Sequence, residues 1–344
     1  MKPLRIYFKN FWGGFPAHSN IVTYALSINR NIEIIEEQKQ ALDCPPDIVF
    51  HNGHAKERAP GALNISWIIE HILSDRREIP DYNICDYSLN SCNFDDPRNH
   101  RLPWWSCQIN WYAASYVDKL LEENPNTLFC NDNPSLESIH NIRLELRRDF
   151  SSIDSGRGPY SFIDLDDLYR SRTAENVTQR TRDCCSVASH GMGRRADFYP
   201  EISKHIEVIH AGKFLQNKNK DAPGMVGKNY REKITFLSNF KSHLCFENDN
   251  TDGWITEKIL HAFCAGCLPI YWGPANIQKD FNEKAFINIS SFSSNQEASV
   301  YIKEVINNNS MLSDYMTQPI FPNNQIPYHA TPVALNDFFK KVGI

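Results

Sequence analysis

No stretch of the 344 residues approaches the roughly 18 consecutive apolar residues of a membrane-spanning helix, so no transmembrane segment is expected. The first eight residues, Met1 to Phe8, hold no long apolar run and read as a first strand rather than a cleaved signal peptide. A cytoplasmic location is the corresponding expectation. An excess of positive charge is also missing: 36 Lys and Arg face 41 Asp and Glu, a net charge of -5. Nucleic acid is therefore disfavoured as the main partner. No short-period repeat is visible. The single C-x-x-C, Cys264-Ala265-Gly266-Cys267, has no second pair, so a four-cysteine metal site has no basis.

What is present is ordinary for a folded chain: 41% hydrophobic and 22% charged residues exclude wholesale disorder. At roughly 100–200 residues per domain, two domains are expected. Aromatics, at 12%, suit a large core or carbohydrate-facing surfaces. The ten cysteines are scattered, often inside apolar runs such as Leu244-Cys245-Phe246, and read as reduced core thiols. Four N-x-[ST] sequons, at Asn64, Asn176, Asn288 and Asn308, read as chance matches without a secretion signal.

Short apolar segments alternate with helical ones along both halves. In the first half the pattern predicts strands at 4–8, 32–36, 47–50, 63–69 and 84–89, with a turn at Trp12-Gly13-Gly14. It also predicts a helix at 20–30 capped by Ser19. Residues 151–160 are rich in Ser and Gly, and 143–148 form a basic cluster on a helix expected at 135–148. The second half predicts strands at 184–189, 206–210, 243–247, 268–272 and 286–289. Its helices are expected at 195–205, 230–242, 256–265, 296–307 and 335–342. The expected fold is α/β, two Rossmann-like domains facing across a cleft: 1–150, a linker at 151–180, and 181–344, with the last helix packing back on the first domain.

The densest run of chemistry is Phe246-Glu247-Asn248-Asp249-Asn250-Thr251-Asp252-Gly253-Trp254-Ile255-Thr256-Glu257-Lys258, leaving a strand and opening a helix. Ligands of open α/β sheets bind beyond the carboxyl ends of strands, and helix N-termini receive phosphates. Lys258 could neutralise a diphosphate and Glu257 accept from sugar hydroxyls. The spacing equally suits plain capping, with Asp252 or Thr256 as the cap and Glu257 placed by the helix dipole.

Phe246-Glu247-Asn248, Ile255-Thr256-Glu257-Lys258 and Leu268-Pro269-Ile270-Tyr271-Trp272-Gly273, in that order and spacing, resemble the signature of the α1,3/4-fucosyltransferase family. Phe236-Leu237-Ser238-Asn239-Phe240-Lys241 before it, and Lys279-Asp280-Phe281-Asn282 after it, resemble the bacterial members. Weaker likeness reaches Arg195-Ala196-Asp197-Phe198-Tyr199 and Trp67-Ile68-Ile69-Glu70. The resemblance implies a GT-B type scaffold and inverting transfer of L-fucose from GDP-fucose. The acceptor it implies is a β-galactosyl-N-acetylglucosamine unit, fucosylated at the 3-OH or 4-OH of GlcNAc, on a bacterial surface glycan. It places Arg195 on the diphosphate, and Asn248, Trp254, Thr256, Glu257 and Lys258 at the donor. Glu70 falls on the proposed base. The family usually carries a tyrosine where Trp254 stands, and a small residue where Ile69 precedes Glu70. The heptad repeats and basic amphipathic tail of some bacterial members are absent here, so any membrane association would be peripheral and by other means.

Arg195 and Lys258 would stabilise charge on leaving GDP without a metal or other cofactor, while a carboxylate takes the acceptor proton. Asp75, Glu78 and Asp95 are competing bases. A metal-dependent transferase using another nucleotide sugar is the alternative enzyme, flagged by Asp164-Leu165-Asp166 as Mn²⁺ ligands. A non-catalytic carbohydrate-binding protein is the alternative outside enzymes. Trp104, Trp105, Trp111 and Tyr112 are either core or sugar-stacking aromatics.

Overall fold

The computed structural model describes residues 2–68 (except 12–14, 19, 29, 37–43 and 54–56), 80–111 (except 94), 163, 165, 168, 173–217 and 230–344. The expected helix at 135–148, the basic cluster, the Ser/Gly-rich stretch, the Trp12-Gly13-Gly14 turn and Tyr112 lie outside the described residues, as does most of the expected linker. Among the described residues no helix is long and apolar enough to cross a membrane. The chain divides into two compact units. The first holds the described residues up to Cys107, with Trp111 and Tyr328–Ile344; the second holds Gln108–Asn110 and the described residues from 163 to Pro327.

The first unit is built on six parallel strands: β1 (Leu4–Lys9), β2 (Ile32–Ile35), β3 (Ile48–Asn52), β4 (Leu63–Ile68), β5 (Tyr87–Asn90) and β6 (Asn99–Arg101). Their order across the sheet is β2-β1-β3-β4-β5-β6. Both faces of a parallel sheet are covered, which is why β3 and β4 read as near-continuous buried runs rather than alternating ones. The helix α1 (Ile21–Ser27) is shorter than expected and capped by Asn20, whose Oδ1 accepts from Val22 and Thr23 at 3.0 Å each. A short helix α2 (Trp104–Cys107) follows β6. Trp105 and Trp111 are core residues, 0% and 1% exposed, so sugar stacking is closed to both.

The second unit opens with α3 (Ala174–Thr178) and has five parallel strands: β7 (Arg182–Ser186), β8 (Val208–His210), β9 (Phe240–Phe246), β10 (Leu268–Trp272) and β11 (Ile287–Asn288). Their order is β11-β10-β9-β7-β8. The helices between and after them are α4 (Arg195–Ile202), α5 (Tyr230–Leu237), α6 (Lys258–Cys264), α7 (Asn295–Asn307) and α8 (Asn309–Met316). Phe198 and Ile202 of α4, Leu244 and Phe246 of β9, Ile270 of β10, and Ile302 and Val305 of α7 share one core. Each such burial contributes about 1.5–3 kcal/mol.

Two boundaries differ from expectation for visible reasons. The helix expected to run to 242 ends at Leu237, because the Asn239 side chain donates to the Thr235 and Phe236 carbonyls and closes it. Phe240 then pairs with Arg182 and starts β9. The helix expected from 256 begins at Lys258, because the Thr256 N–H and hydroxyl are both taken by Glu247. The chain closes with α9 (Pro332–Lys341), which packs in the first unit: Phe339 lies 6.3 Å from Phe50, and Phe338 lies 5.1 Å from His100.

The nine described cysteines are free, and all but Cys44 are buried. Cys267 donates to the Leu237 and Phe240 carbonyls, and burial pushes its thiol up to about 11. The sequon residue Asn64 is 0% exposed and bonded to His51, so no glycan fits there in this fold.

Candidate functional site

In the second sheet β7 lies between β8 and β9, so the connections leaving β7 and β8 run in opposite directions. That reversal opens a crevice beyond the carboxyl ends of β7 and β9, the place where doubly wound sheets bind ligands. The chain leaving β7 carries His190 and Arg195, and the chain leaving β9 carries the run from Glu247 to Lys258. Arg195 and the 246–258 segment, distant in sequence, therefore meet.

Arg195 opens α4 and is 3% exposed. One terminal nitrogen donates to the Phe246 carbonyl and, at 2.8 Å, to Asn248 Oδ1. The other reaches the His190 carbonyl at 3.4 Å and the His190 ring at 3.3 Å. Its Nε–H is buried with no acceptor among the described residues. Burial, with the charges of Arg195 and Lys258, lowers the His190 pKa and keeps that ring neutral at pH 7.

Lys258 is the first residue of α6 and donates at 2.8 Å to both Glu247 Oε2 and Thr256 Oγ1. Glu247 is 0% exposed, while 22% of the Lys258 side chain remains accessible. Glu247 also accepts from the Thr256 N–H at 2.8 Å and from its hydroxyl. Burial works against the Lys258 ammonium, but Glu247 and Glu257 outweigh it, so its pKa is raised and the charge is secure. The result is an anchored cation with an accessible flank.

Glu257, rather than Asp252 or Thr256, stands at the N-cap position of α6, and its side chain makes no cap bond. Trp254 is buried at 7% exposed, and its backbone N–H donates to the Thr251 carbonyl. The preceding Gly253 N–H is held by Asn276 Oδ1 at 3.2 Å, which ties this loop to the one after β10. Lys233 of α5 donates to His261 Nδ1 at 2.8 Å, and burial lowers both pKa values.

Glu70 lies outside the described residues, two positions past the end of β4. Asp75, Glu78, Asp164 and Asp166 lie outside them too. Among the described residues no three His, Cys, Asp or Glu side chains are grouped to hold a metal. Residue typing assigned no role to Glu247. The available signal was an acid continuing the apolar run Leu244-Cys245-Phe246, since a carboxylate buried there needs a cation.

Residues 177–336 match the family model described as glycosyltransferase family 10 (fucosyltransferase) C-term. The resemblance to the fucosyltransferases is borne out. An alpha-(1,3)-fucosyltransferase FucT of Helicobacter pylori is 27% identical over 317 residues, covering 88% of this chain and 57% of that protein. The 4-galactosyl-N-acetylglucosaminide 3-alpha-L-fucosyltransferase 9 of Rattus norvegicus is 31% identical over 189 residues, 52% of this chain and 47% of the relative. The chain thus spans about half the length of the curated relatives it matches. A crystal structure of an alpha1,3-fucosyltransferase with GDP-fucose superposes with a TM-score of 0.64 at 22% identity, covering 99% of this chain and 90% of that one. The fold is therefore of the GT-B type, with two units each built on a parallel sheet.

Proposed function

We propose that this chain is an inverting fucosyltransferase that uses GDP-fucose as donor. The observation that carries the proposal is the pair of cations, Arg195 and Lys258, anchored at adjacent strand ends where a doubly wound sheet receives its ligand. A nucleoside diphosphate is the leaving group such a pair suits. Charge accumulates on its oxygens as the sugar departs, and fixed cations stabilise that charge without reorganising. Trp254, Glu257, Thr256 and Asn248 complete the proposed donor side. The relatives' names support fucose as the sugar.

The acceptor we propose is the 3-OH or 4-OH of GlcNAc in a β-galactosyl-N-acetylglucosamine unit of a bacterial surface glycan, in line with the name of the rat relative. Glu70 is the proposed base. It would take the proton of the attacking hydroxyl, and Arg195 and Lys258 would hold the diphosphate. No metal is assigned a role.

Titration of GDP into the full chain by calorimetry tests the donor side. A charge-assisted contact contributes about 1.5–3 kcal/mol, so Lys258→Ala should weaken GDP by about tenfold or more. Unchanged affinity in a folded variant refutes the placement. Transfer assays with GDP-fucose, GDP-mannose and UDP-sugars, with and without EDTA, test the rest. Transfer from another donor, or its loss in EDTA, overturns the proposal in that respect.

A further inference from the structure

Three consecutive residues at the exit of β9 engage both cations. The Phe246 carbonyl and Asn248 Oδ1 accept from the same Arg195 nitrogen, while Glu247, between them, accepts from Lys258 and Thr256. The Glu247 side chain is not arranged as a ligand for an anion. Glu247 is 0% exposed, its oxygens are occupied by the Thr256 and Lys258 donors, and its charge has the sign of a diphosphate. Asn248 has committed its oxygen to a guanidinium that is itself 3% exposed.

We infer that Glu247 and Asn248 are positioning residues, which hold Lys258 and Arg195 in their binding geometry before any ligand arrives. The inference deepens the GDP-fucose reading and rests on it. Long cationic side chains lose rotamer freedom when a ligand immobilises them, a loss of about 2- to 12-fold in affinity for each one. A cation already tied down escapes most of that loss. Glu247 adds a second effect. It is the anion that keeps a largely enclosed ammonium protonated, and Thr256, bonded to both, fixes the distance between them.

Double-mutant cycles on the full chain, read as GDP affinity by calorimetry, separate positioning from contact. Asn248→Ala should weaken GDP by about 2- to 12-fold in the wild type and by clearly less where Arg195 is already Gln. Glu247→Gln should weaken it at least as much in the wild type and have no effect in Lys258→Met. Losses that persist in full in the double variants overturn the inference, because the residues then act on the ligand themselves.

The pH profile is a readout that a merely structural role would not move. The charged and titratable groups facing Lys258 are Glu247 from β9, Glu257 before α6, Arg195 from α4, His190 after β7, Lys233 from α5 and His261 within α6. Glu247→Gln removes the bonded anion and leaves an excess of cations, so GDP affinity should fall, relative to the wild type, as pH rises from 6 to 9. A profile parallel to wild type overturns the inference. If Glu247→Gln folds poorly, the urea midpoint decides: adding Lys258→Met should restore it, because the unpaired buried charge is gone. Failure to restore it counts against the ion pair. A wild-type chain that binds no GDP overturns the donor reading instead, an outcome distinct from persistent losses in the double variants.

Discussion

Gly212→Ala probes the packing beneath the proposed donor site. A Cβ on Gly212 would lie 2.0 Å from the Ala188 carbonyl oxygen, 2.5 Å from its nitrogen and 2.6 Å from its carbonyl carbon. All three are backbone atoms, so no rotamer change relieves the clash. The exits of β7 and β8 would have to part by about 1 Å to restore ordinary contact. Two hydrogen bonds flank the point of contact: the Ala211 N–H to the Ser186 carbonyl at 2.9 Å, and the Phe214 N–H to the Ala188 carbonyl at 3.0 Å. Parting the strands takes both beyond the normal limit. Each is worth about 1 kcal/mol net, and overpacking costs about 1–3 kcal/mol, so a loss of about 3–5 kcal/mol is expected. Gly61→Ala is the control. Gly61 has φ +75° and nothing within 4 Å of its Cβ position, so it should lose only the left-handed backbone penalty of about 1–2 kcal/mol. Because the chain has two compact units, hydrogen exchange is the assay of choice. Protection of the 208–211 amides should fall in Gly212→Ala and that of β4 in Gly61→Ala. GDP affinity should fall only in the former, because residues 187–191 lead into Arg195. If Gly212→Ala costs no more than about 0.5 kcal/mol, the strands are not in the contact described.

Glu70→Gln should lower turnover by about 10²–10⁴-fold while the GDP-fucose dissociation constant stays unchanged, and steady-state kinetics at saturating acceptor check it. Trp105→Ala, at a position 0% exposed, should destabilise the first unit by about 3–5 kcal/mol in urea unfolding. Acid should loosen α9. Burial first, then the charges of His329 and Arg101, lower the His100 pKa from 6.5 to about 4. Between those two pH values the unfolded chain binds the proton and the folded one does not, so stability is full above about pH 6.5 and falls as the pH drops towards 4. His100→Gln should flatten that part of the acid profile, followed by hydrogen exchange on α9.

Strand β10 was legible to the residue, because Leu268–Trp272 is an unbroken apolar run between two glycines and is wholly buried. β6 was not legible. Asn99-His100-Arg101 has no apolar pattern, and its strand character comes from pairing with β5. α8 was missed although Asn308 marks its start by accepting from Ser310 and Met311. In the sequence that asparagine also begins a sequon, a pattern that carries no signal for a helix start. The early start of β9 was hidden in the same way, since Phe240-Lys241-Ser242 continues a helical pattern until Asn239 and the ladder to β7 override it.

The candidate site divides along the same physical line. Glu257 and Lys258 stand out because charged residues at a helix start are local features, whereas Arg195 enters through the family resemblance. Glu247 does not stand out, because its significance lies in contacts that exist only once β9 delivers it to Thr256 and Lys258. A carboxylate at 0% exposure cannot remain ionised without partners, so its burial specifies the cation as firmly as the cation specifies the ligand. Asn248, which the family resemblance places at the donor, also accepts from Arg195, a contact that only the fold creates. Sequence picks out the groups that carry charge towards a substrate. The groups that fix those charges emerge only from the register of the sheet, and in this chain they are the two polar residues leaving β9.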